Sequence, residues 1–325
     1  MLVTLAGCER PVPAVVKHAQ TVMGTFAEVT AVAPDQATAR RAVEAAYARL
    51  KDVNRLMSDY VADSEIGRLN ALSAGQSLRV SPETFHCLRR ALEIAEQSAG
   101  AFDVTCRPLV VLWKQAARQD RLPTEAELRA TLARVGWRKL SLHPDQLAVT
   151  PTVDGMQVDL GGIAKGYALD LAAAAMRAAG ASSGLVDVGG DVLAWGPRAD
   201  GSAWRVGLRH PFQNGILRTL ALIDRAVATS GVQQRFNLIG GRRYSHIVDP
   251  RTGRPAEQSP SVTVIASDGL TADAWATAFS VLSVEEGRAL LERQPQLELE
   301  VLWVLPGKDE PVVQMTPGFT RYLLE

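Results

Sequence analysis

The chain has 325 residues, 47% of them hydrophobic, which is enough for one large domain or two closely packed ones. Its 35 lysines and arginines balance its 35 aspartates and glutamates, and this argues against a nucleic-acid groove, which needs a strong basic excess. Three cysteines without a Cys-x-x-Cys pair and five scattered histidines argue against a structural zinc site.

The N-terminus resembles part of a bacterial lipoprotein signal. Residues 5–8 read "LAGC", the small residues and cysteine of a lipobox, and a Pro-rich spacer follows. Only seven residues precede Cys8, so we expect the recorded start to lie inside a longer signal peptide, or the leader to have been trimmed. We therefore predict that residues 1–17 are a signal remnant and spacer, and that residues 18–325 form the functional domain.

Hydrophobic periodicity and capping residues predict the helices. The signals are clearest where Ser81 precedes Pro82 at a helix start and where Thr124 and Glu127 form a capping box. Helices are expected over 35–57, 82–98, 124–136, 165–179, 271–282 and 284–294.

Strands are expected over 20–33, as short segments within 138–159 and 184–266, and at "LEVLWVLP" near the C-terminus. Cys106 is placed beside a loop or strand. Helices and strands intermix without a regular βαβ repeat, which predicts an α+β fold. We expect mixed helices and largely antiparallel sheets in one compact unit.

Residues 158–170, "VDLGGIAKGYALD", place a charged pair and several glycines where a strand runs into a helix. Glycine lets the backbone approach a ligand closely, and free N–H groups at a helix start attract anions. With Lys165 and Asp159 nearby, the stretch suits a phosphate next to a hydroxyl or amine group. A tight turn carrying a surface lysine remains an equal alternative. The spacing matches neither a P-loop nor a dinucleotide-binding fingerprint.

Two further stretches carry groups with possible chemistry. Asp273 and Thr277 lie four residues apart on one predicted helix face, and their oxygens are ligands that Mg²⁺ prefers. A capped, Ala-rich core helix is the alternative interpretation. His246, in "YSHIVDPRTGRP", is a candidate general base or a structural hydrogen-bonding residue. Tyr60 and Phe102 are suited either to cover a flat ring or to fill the core.

Taken together, the sequence resembles the FAD:protein FMN transferases, the ApbE family of flavin transferases. The shared blocks run in order from about residue 21 to residue 280 and cover most of the chain. They are "TVMGTF", "MSDYVADSEIGRLN", "GAFDVT", "VDLGGIAKGYALD", "LVDVGGDV", "ATSG", "YSHIVDPRTGRP" and "ADAWATAF".

The resemblance implies a fold with an FAD cleft and a Mg²⁺-dependent reaction. FMN would pass from FAD to a threonine or serine hydroxyl of an acceptor protein, with release of AMP. The implied metal ligands are Gly162 and Ala276, through their carbonyls, together with Asp273 and Thr277, and His246 matches a histidine important for transfer. The implied FAD contacts are Met23, Tyr60, Ala101, Phe102, Asp103, Asp159, Lys165 and Ile247.

The same resemblance implies where and on what the protein acts. The acceptor would be a flavin-carrying subunit of a membrane redox complex, such as an Na⁺-pumping or Rnf-type complex. The protein would be a lipoprotein on the periplasmic face of the bacterial inner membrane, or soluble in the periplasm without the anchor. Two alternatives remain: a Mg²⁺-dependent FAD pyrophosphatase that yields FMN and AMP, and a non-catalytic FAD-binding lipoprotein.

Overall fold

The protein is described by a computed structural model that covers residues 12–231, 236–257 and 261–324, so the predicted lipobox at Cys8 lies outside the described residues. Its strands are β1 (Ala14–Val22), β2 (Thr25–Ala33), β3 (Leu78–Arg79), β4 (Leu140–His143), β5 (Ala148–Pro151), β6 (Ser183–Val188), β7 (Asp191–Trp195), β8 (Trp204–Arg209), β9 (Ile216–Leu222), β10 (Arg225–Gly231), β11 (Phe236–Ile239), β12 (Arg242–Ser245), β13 (Ser261–Ala266), β14 (Glu300–Leu305) and β15 (Val312–Met315). Its α-helices are α1 (Gln36–Met57), α2 (Glu65–Leu69), α3 (Pro82–Gln97), α4 (Arg107–Arg118), α5 (Glu125–Leu132), α6 (Ala164–Ala178), α7 (Gly269–Val281) and α8 (Val284–Arg293).

An eight-stranded antiparallel sheet, in the order β1-β2-β6-β7-β10-β13-β14-β15, organises these elements. Smaller antiparallel sheets are formed by β3-β5-β4, by β8-β9 and by β11-β12. Mixed helices and antiparallel sheets were predicted, and this α+β fold class is confirmed. None of the described helices is long and apolar enough to cross a membrane.

Helices α1, α6 and α7 cover one face of the main sheet. Alanines recur along the buried sides of α1 and α6, and their small side chains let helices approach closely. Helix α7 is nearly enclosed, because every one of its residues except Thr277 is buried. The opposite face of the sheet packs against the β8–β9 hairpin through a second apolar cluster that includes Trp204 and Leu220.

The predicted helices agree with the structure to within two residues, apart from the capping-box helix. That helix starts as predicted, with both hydrogen bonds of the Thr124–Glu127 box formed, but ends at Leu132 rather than before Gly136. The Ser81 side chain accepts from the Thr84 amide, as its capping role requires.

One prediction about local structure was wrong. The segment 20–33 is not one strand, because Met23 and Gly24 both take positive φ, 53° and 68°, and make a tight turn between β1 and β2. Cys106 does lie beside a loop and forms an isolated β-bridge with Gln157. The sequence analysis did not predict helix α4, which follows it and has a proline in its first turn.

Candidate functional site

A cleft of about 1590 Å³ gathers the predicted site residues. It is bordered by the β1–β2 turn, the loop at 101–106, the start of α6, the β6–β7 turn and α7. All predicted site residues except Ala276 line it: Met23, Tyr60, Ala101, Phe102, Asp103, Asp159, Gly162, Lys165, His246, Ile247, Asp273 and Thr277. Stretches far apart in the sequence therefore share one cavity.

The turn that leads into α6 is held by its own carboxylate. Asp159 Oδ1 accepts from the Gly161 amide at 2.7 Å, and the Asp159 amide donates to the Val104 carbonyl at 2.8 Å. No side chain caps the start of α6 in the described structure. Instead, the Gly166 amide in its first turn donates to Asp273 Oδ2 at 3.0 Å. The anion-binding helix start predicted from the sequence thus faces a carboxylate of α7.

Lys165 joins two buried carboxylates. Its Nζ lies 3.2 Å from Asp273 Oδ1 and also forms an ion pair with Asp191 Oδ2, while both carboxylate side chains are almost fully buried. Burial alone would lower the pKa of Lys165, but the negative charges of Asp191 and Asp273 raise it above its usual range. Lys165 is therefore a positively charged group of the cleft, which excludes the surface-lysine interpretation.

Asp191 was missed in the sequence analysis. Its Oδ1 accepts from the Thr229 amide at 3.2 Å, so the carboxylate ties strand β10 to the lysine at the start of α6. In the sequence it follows a Gly-Gly pair, and that pattern indicates only a turn. The ion pair depends on strand register over long sequence separations, which no local pattern reports.

One wall of the cleft carries a group of oxygen atoms. Asp273 and Thr277 are one helical turn apart on α7, and Thr277 Oγ1 lies 3.3 Å from Ser230 Oγ. Gly162 packs directly against this group, since a Cβ atom at residue 162 would lie 2.8 Å from Thr277 Oγ1. Burial, partly offset by Lys165, raises the pKa of Asp273 above its usual range.

Ala276 differs from the other predicted metal ligands. It is fully buried, does not line the cleft, and its carbonyl accepts from Ser280 Oγ at 2.8 Å. Its assignment as a metal ligand remains a prediction. Within the described ranges there is no cluster of three or more histidines, cysteines, aspartates or glutamates suited to a metal ion. A cation at this wall would therefore need hydroxyl and carbonyl oxygens beside Asp273.

Another part of the cleft is shaped by Asp103 and by aromatic side chains. Asp103 Oδ1 accepts from Thr105, and Oδ2 accepts from the Trp137 amide at 2.8 Å, so this carboxylate fixes the loop. Burial raises the pKa of Asp103, although these hydrogen bonds act in the opposite direction. Phe102 is buried, whereas Tyr60 stands on the rim with 82% of its surface exposed and Lys114 Nζ 5.7 Å from its ring centroid. An exposed ring over a cleft is suited to stacking on a planar ligand.

His246 follows β12 and lines the same cleft. The next residue, Ile247, is fixed by two hydrogen bonds: its amide donates to Ser245 Oγ at 3.0 Å, and its carbonyl accepts from the Ala256 amide at 2.9 Å. The imidazole therefore belongs to a constrained segment that lines the cleft.

Comparisons with known proteins place this chain in a family. Residues 23–303 match the model of the ApbE family. A curated FAD:protein FMN transferase from Vibrio cholerae is 33% identical over 99% of this chain and 94% of its own length, and one from Escherichia coli is 30% identical over 98% and 94%.

Comparison with solved structures also indicates the ApbE family. An ApbE protein from Thermotoga maritima superposes with a TM-score of 0.86 at 29% identity, covering 96% of this chain and all of the other. The flavin transferase ApbE from Vibrio cholerae gives 0.84 at 30% identity, covering 96% and 100%. The shared fold and the curated relatives place this protein in the flavin-transferase class. The chain belongs to the ApbE family, which confirms the family predicted from its sequence.

Proposed function

We propose that this protein is a Mg²⁺-dependent FAD:protein FMN transferase that attaches FMN to a threonine or serine hydroxyl of an acceptor protein. The enzyme class is the one its curated relatives carry. The observation that carries the proposal is the oxygen-rich wall of Gly162, Asp273 and Thr277 next to Lys165, at one end of a cleft large enough for a dinucleotide.

The residues present fit a hard divalent cation. The candidate donors are a carboxylate, a hydroxyl and a backbone carbonyl, all oxygen ligands that Mg²⁺ prefers. Two carboxylates, Asp191 and Asp273, face one ammonium group, Lys165, so the group carries one formal negative charge when ionised. A bound divalent ion would change the net charge of this group from minus one to plus one. The group would then attract the two negative charges of a diphosphate. When bound, Mg²⁺ would neutralise phosphate oxygens and align them for displacement.

The chain's own residues then bind, orient and accept a proton. The acceptor oxygen attacks the phosphorus of the FMN half, the bond from that phosphorus to the AMP oxygen breaks, and AMP leaves. Lys165 faces the charge that develops on the diphosphate, and His246 takes the proton from the acceptor hydroxyl. Phosphoryl transfer has a loose transition state, so positioning and charge contribute most of the rate.

The test of this function is direct. Purified protein is incubated with FAD, Mg²⁺ and candidate acceptor proteins, and intact-mass measurement follows the acceptors while chromatography follows FMN and AMP. The proposal expects an acceptor whose mass rises by one FMN, with an equal amount of AMP. Free FMN without any labelled acceptor would instead identify an FAD pyrophosphatase, and bound but uncleaved FAD would identify a non-catalytic flavin-binding protein.

The proposal extends to location and partner. We propose that the protein works on the periplasmic face of the inner membrane, anchored through a lipid on Cys8, and that its acceptor is a flavin-carrying subunit of a membrane redox complex. The support is the "LAGC" motif at residues 5–8, which lies outside the described residues, and the family resemblance. Mass spectrometry of the membrane fraction would show a diacylglyceryl cysteine at Cys8, and a protein recovered only unlipidated would overturn the anchor.

Replacing Lys165 with methionine is expected to weaken FAD binding at least about tenfold and to slow transfer about a hundredfold, because the buried carboxylates lose their cation. We expect a loss of about 2 kcal/mol in the free energy of unfolding, less than for a fully buried pair, since part of the lysine side chain is exposed. Calorimetric titration with FAD and denaturant unfolding provide the measurements. Lys51→Met, on the exposed side of α1, is the control. If the two variants bound FAD equally well, Lys165 would have no role at the diphosphate.

A further inference from the structure

The cleft extends beyond the predicted FAD contacts, along the face of the main sheet opposite α1. Across the β2–β6 pair, Glu28 faces Asp187 and Thr30 faces Leu185, and these four side chains all line the cleft. The Gly189 amide, next to the turn that leads to Asp191, donates to the Phe26 carbonyl at 2.9 Å. The strands thus lead from the Lys165–Asp191 ion pair outward along the sheet.

Strand β8 forms the other wall of this extension. Every residue of β8, Trp204–Arg209, lines the cleft, as do the two residues that follow it. We call the space between β8 and the β2–β6 pair the β8 groove. It is continuous with the site where transfer would occur, because both belong to a single cavity.

Among the described residues, one edge of β8 has no strand partner, and we call it the open edge. In the described ranges β8 pairs only with β9, while the outer edge of β9 is occupied by the C-terminal segment, whose Leu324 amide donates to the Thr219 carbonyl at 2.9 Å. An open strand edge presents unpaired N–H and C=O groups that another extended chain can pair with. A hydroxyl carried on an extended segment along this edge would approach the transfer site from the groove.

The exposed side chains of this edge strand are basic. Arg205 and Arg209 are exposed and line the groove, and neither forms an ion pair with a carboxylate among the described residues. By contrast, Lys17 on the groove floor is neutralised by Glu28 at 2.7 Å. An incoming strand would thus meet Arg205, which has no direct carboxylate partner among the described residues, and Arg209, whose charge acts on Asp187. This basic edge suits an acidic segment.

We propose that the β8 groove binds an extended, acidic segment of the acceptor protein, which pairs with the open edge of β8 and delivers its hydroxyl to the transfer site. This inference rests on the proposed function, since it names the docking surface for that acceptor. An open strand edge can also pair with a second copy of this chain, although charged side chains on the edge oppose such pairing. Self-association through β8 is therefore the competing outcome.

The test uses two synthetic peptides of about eight residues, a common strand length. Each carries one threonine and a fluorescent label, and they differ only in glutamates or lysines on both sides of the threonine. Fluorescence anisotropy measures their binding to the full chain. We expect the glutamate peptide to bind at least about tenfold more tightly, and the double variant R205E/R209E to lose about tenfold of that affinity.

The matched control is Arg218→Glu, which reverses an exposed charge on the same hairpin outside the groove lining. It should bind the glutamate peptide as the unmodified protein does. Because the charge of Arg209 acts on Asp187, the single variant Arg205→Glu repeats the test with Arg209 unchanged. Equal binding of both peptides, equal binding by R205E and R218E, or a dimer in sedimentation that R205E dissociates would each overturn the proposal.

The experiments can overturn the docking inference and the proposed enzyme function independently. FAD binding, followed by flavin fluorescence, is measured on the same samples without peptide. If the unmodified protein neither bound nor cleaved FAD, the proposed function would fail, while the peptide result would still decide the groove. If FAD were bound and transferred to an acceptor but R205E/R209E matched R218E in peptide binding, only the docking inference would fail.

Discussion

Replacing Asp273 with asparagine lowers the rate of FMN transfer by about a thousandfold or more. The carboxylate is the only charged oxygen donor among the predicted metal ligands, and a metal ion in such a site supplies several kcal/mol of transition-state stabilisation. Each 1.36 kcal/mol corresponds to a factor of ten, so a loss of about 4 kcal/mol gives a thousandfold effect. The measurement is the transfer rate as a function of Mg²⁺ concentration.

The fold should survive this substitution. An asparagine oxygen can still accept from the Gly166 amide, which donates to Asp273 Oδ2 in the structure. The asparagine NH2 group would then face the Lys165 ammonium and lose one hydrogen bond, which costs about 1 kcal/mol, while Lys165 keeps its ion pair with Asp191. Denaturant unfolding should therefore show only a small change, which would separate a lost ligand from a lost structure.

Asp268→Asn is the matched control for Asp273→Asn. Asp268 is the N-cap of the same helix, and its side chain accepts from the Thr271 amide at 2.8 Å. Asparagine caps helices about as well as aspartate, so this variant changes the charge near α7 and keeps the helix start. If Asp273→Asn transferred FMN as fast as Asp268→Asn, the metal assignment would be wrong.

The parts of the structure that the sequence predicted well are those with local causes. The Thr124–Glu127 capping box and the cap at Ser81 depend on residues three apart, and both formed as expected. The turn at Met23 was missed because a non-glycine residue rarely takes positive φ. Local patterns thus located helix starts but not a turn that the β1–β2 pairing imposes.

The sequence identified most residues of the candidate site but not the ion pairs that join them. Lys165 and Asp273 were each identified, with a phosphate and a metal as separate interpretations, but the sequence did not indicate that they form an ion pair at 3.2 Å. Asp191, which completes the group, was not identified at all. Its position follows from the β7–β10 pairing and from α6 crossing the sheet, which are properties of the whole fold.

Gly166→Ala is expected to lower the free energy of unfolding by about 3 kcal/mol or more. A Cβ atom at this position would lie 2.0 Å from the Gly269 carbonyl oxygen and 2.8 Å from Asp273 Cβ. The clash is with backbone, so no side-chain rotation relieves it, and α7 is enclosed and has no room to retreat. In an ordinary helix a change from glycine to alanine would stabilise the protein by up to about 1 kcal/mol. The sign of the change in the free energy of unfolding therefore shows whether the clash is present. Denaturant or thermal unfolding provides the measurement.

Gly162→Ala is the matched control for Gly166→Ala, because it adds the same methyl group against a side chain and not against backbone. There the added Cβ would meet the Thr277 hydroxyl at 2.8 Å, a side chain that can rotate away. We expect that variant to fold with near-normal stability but to require more Mg²⁺, because the rotated hydroxyl leaves the oxygen group.

Normal stability of Gly166→Ala would show that α6 and α7 do not pack as tightly as described. That contact also sets the Gly166 amide against Asp273, so any Gly166→Ala protein that still folds should transfer FMN poorly. The close packing at Gly166 and the geometry of the proposed metal site therefore depend on the same pair of helices.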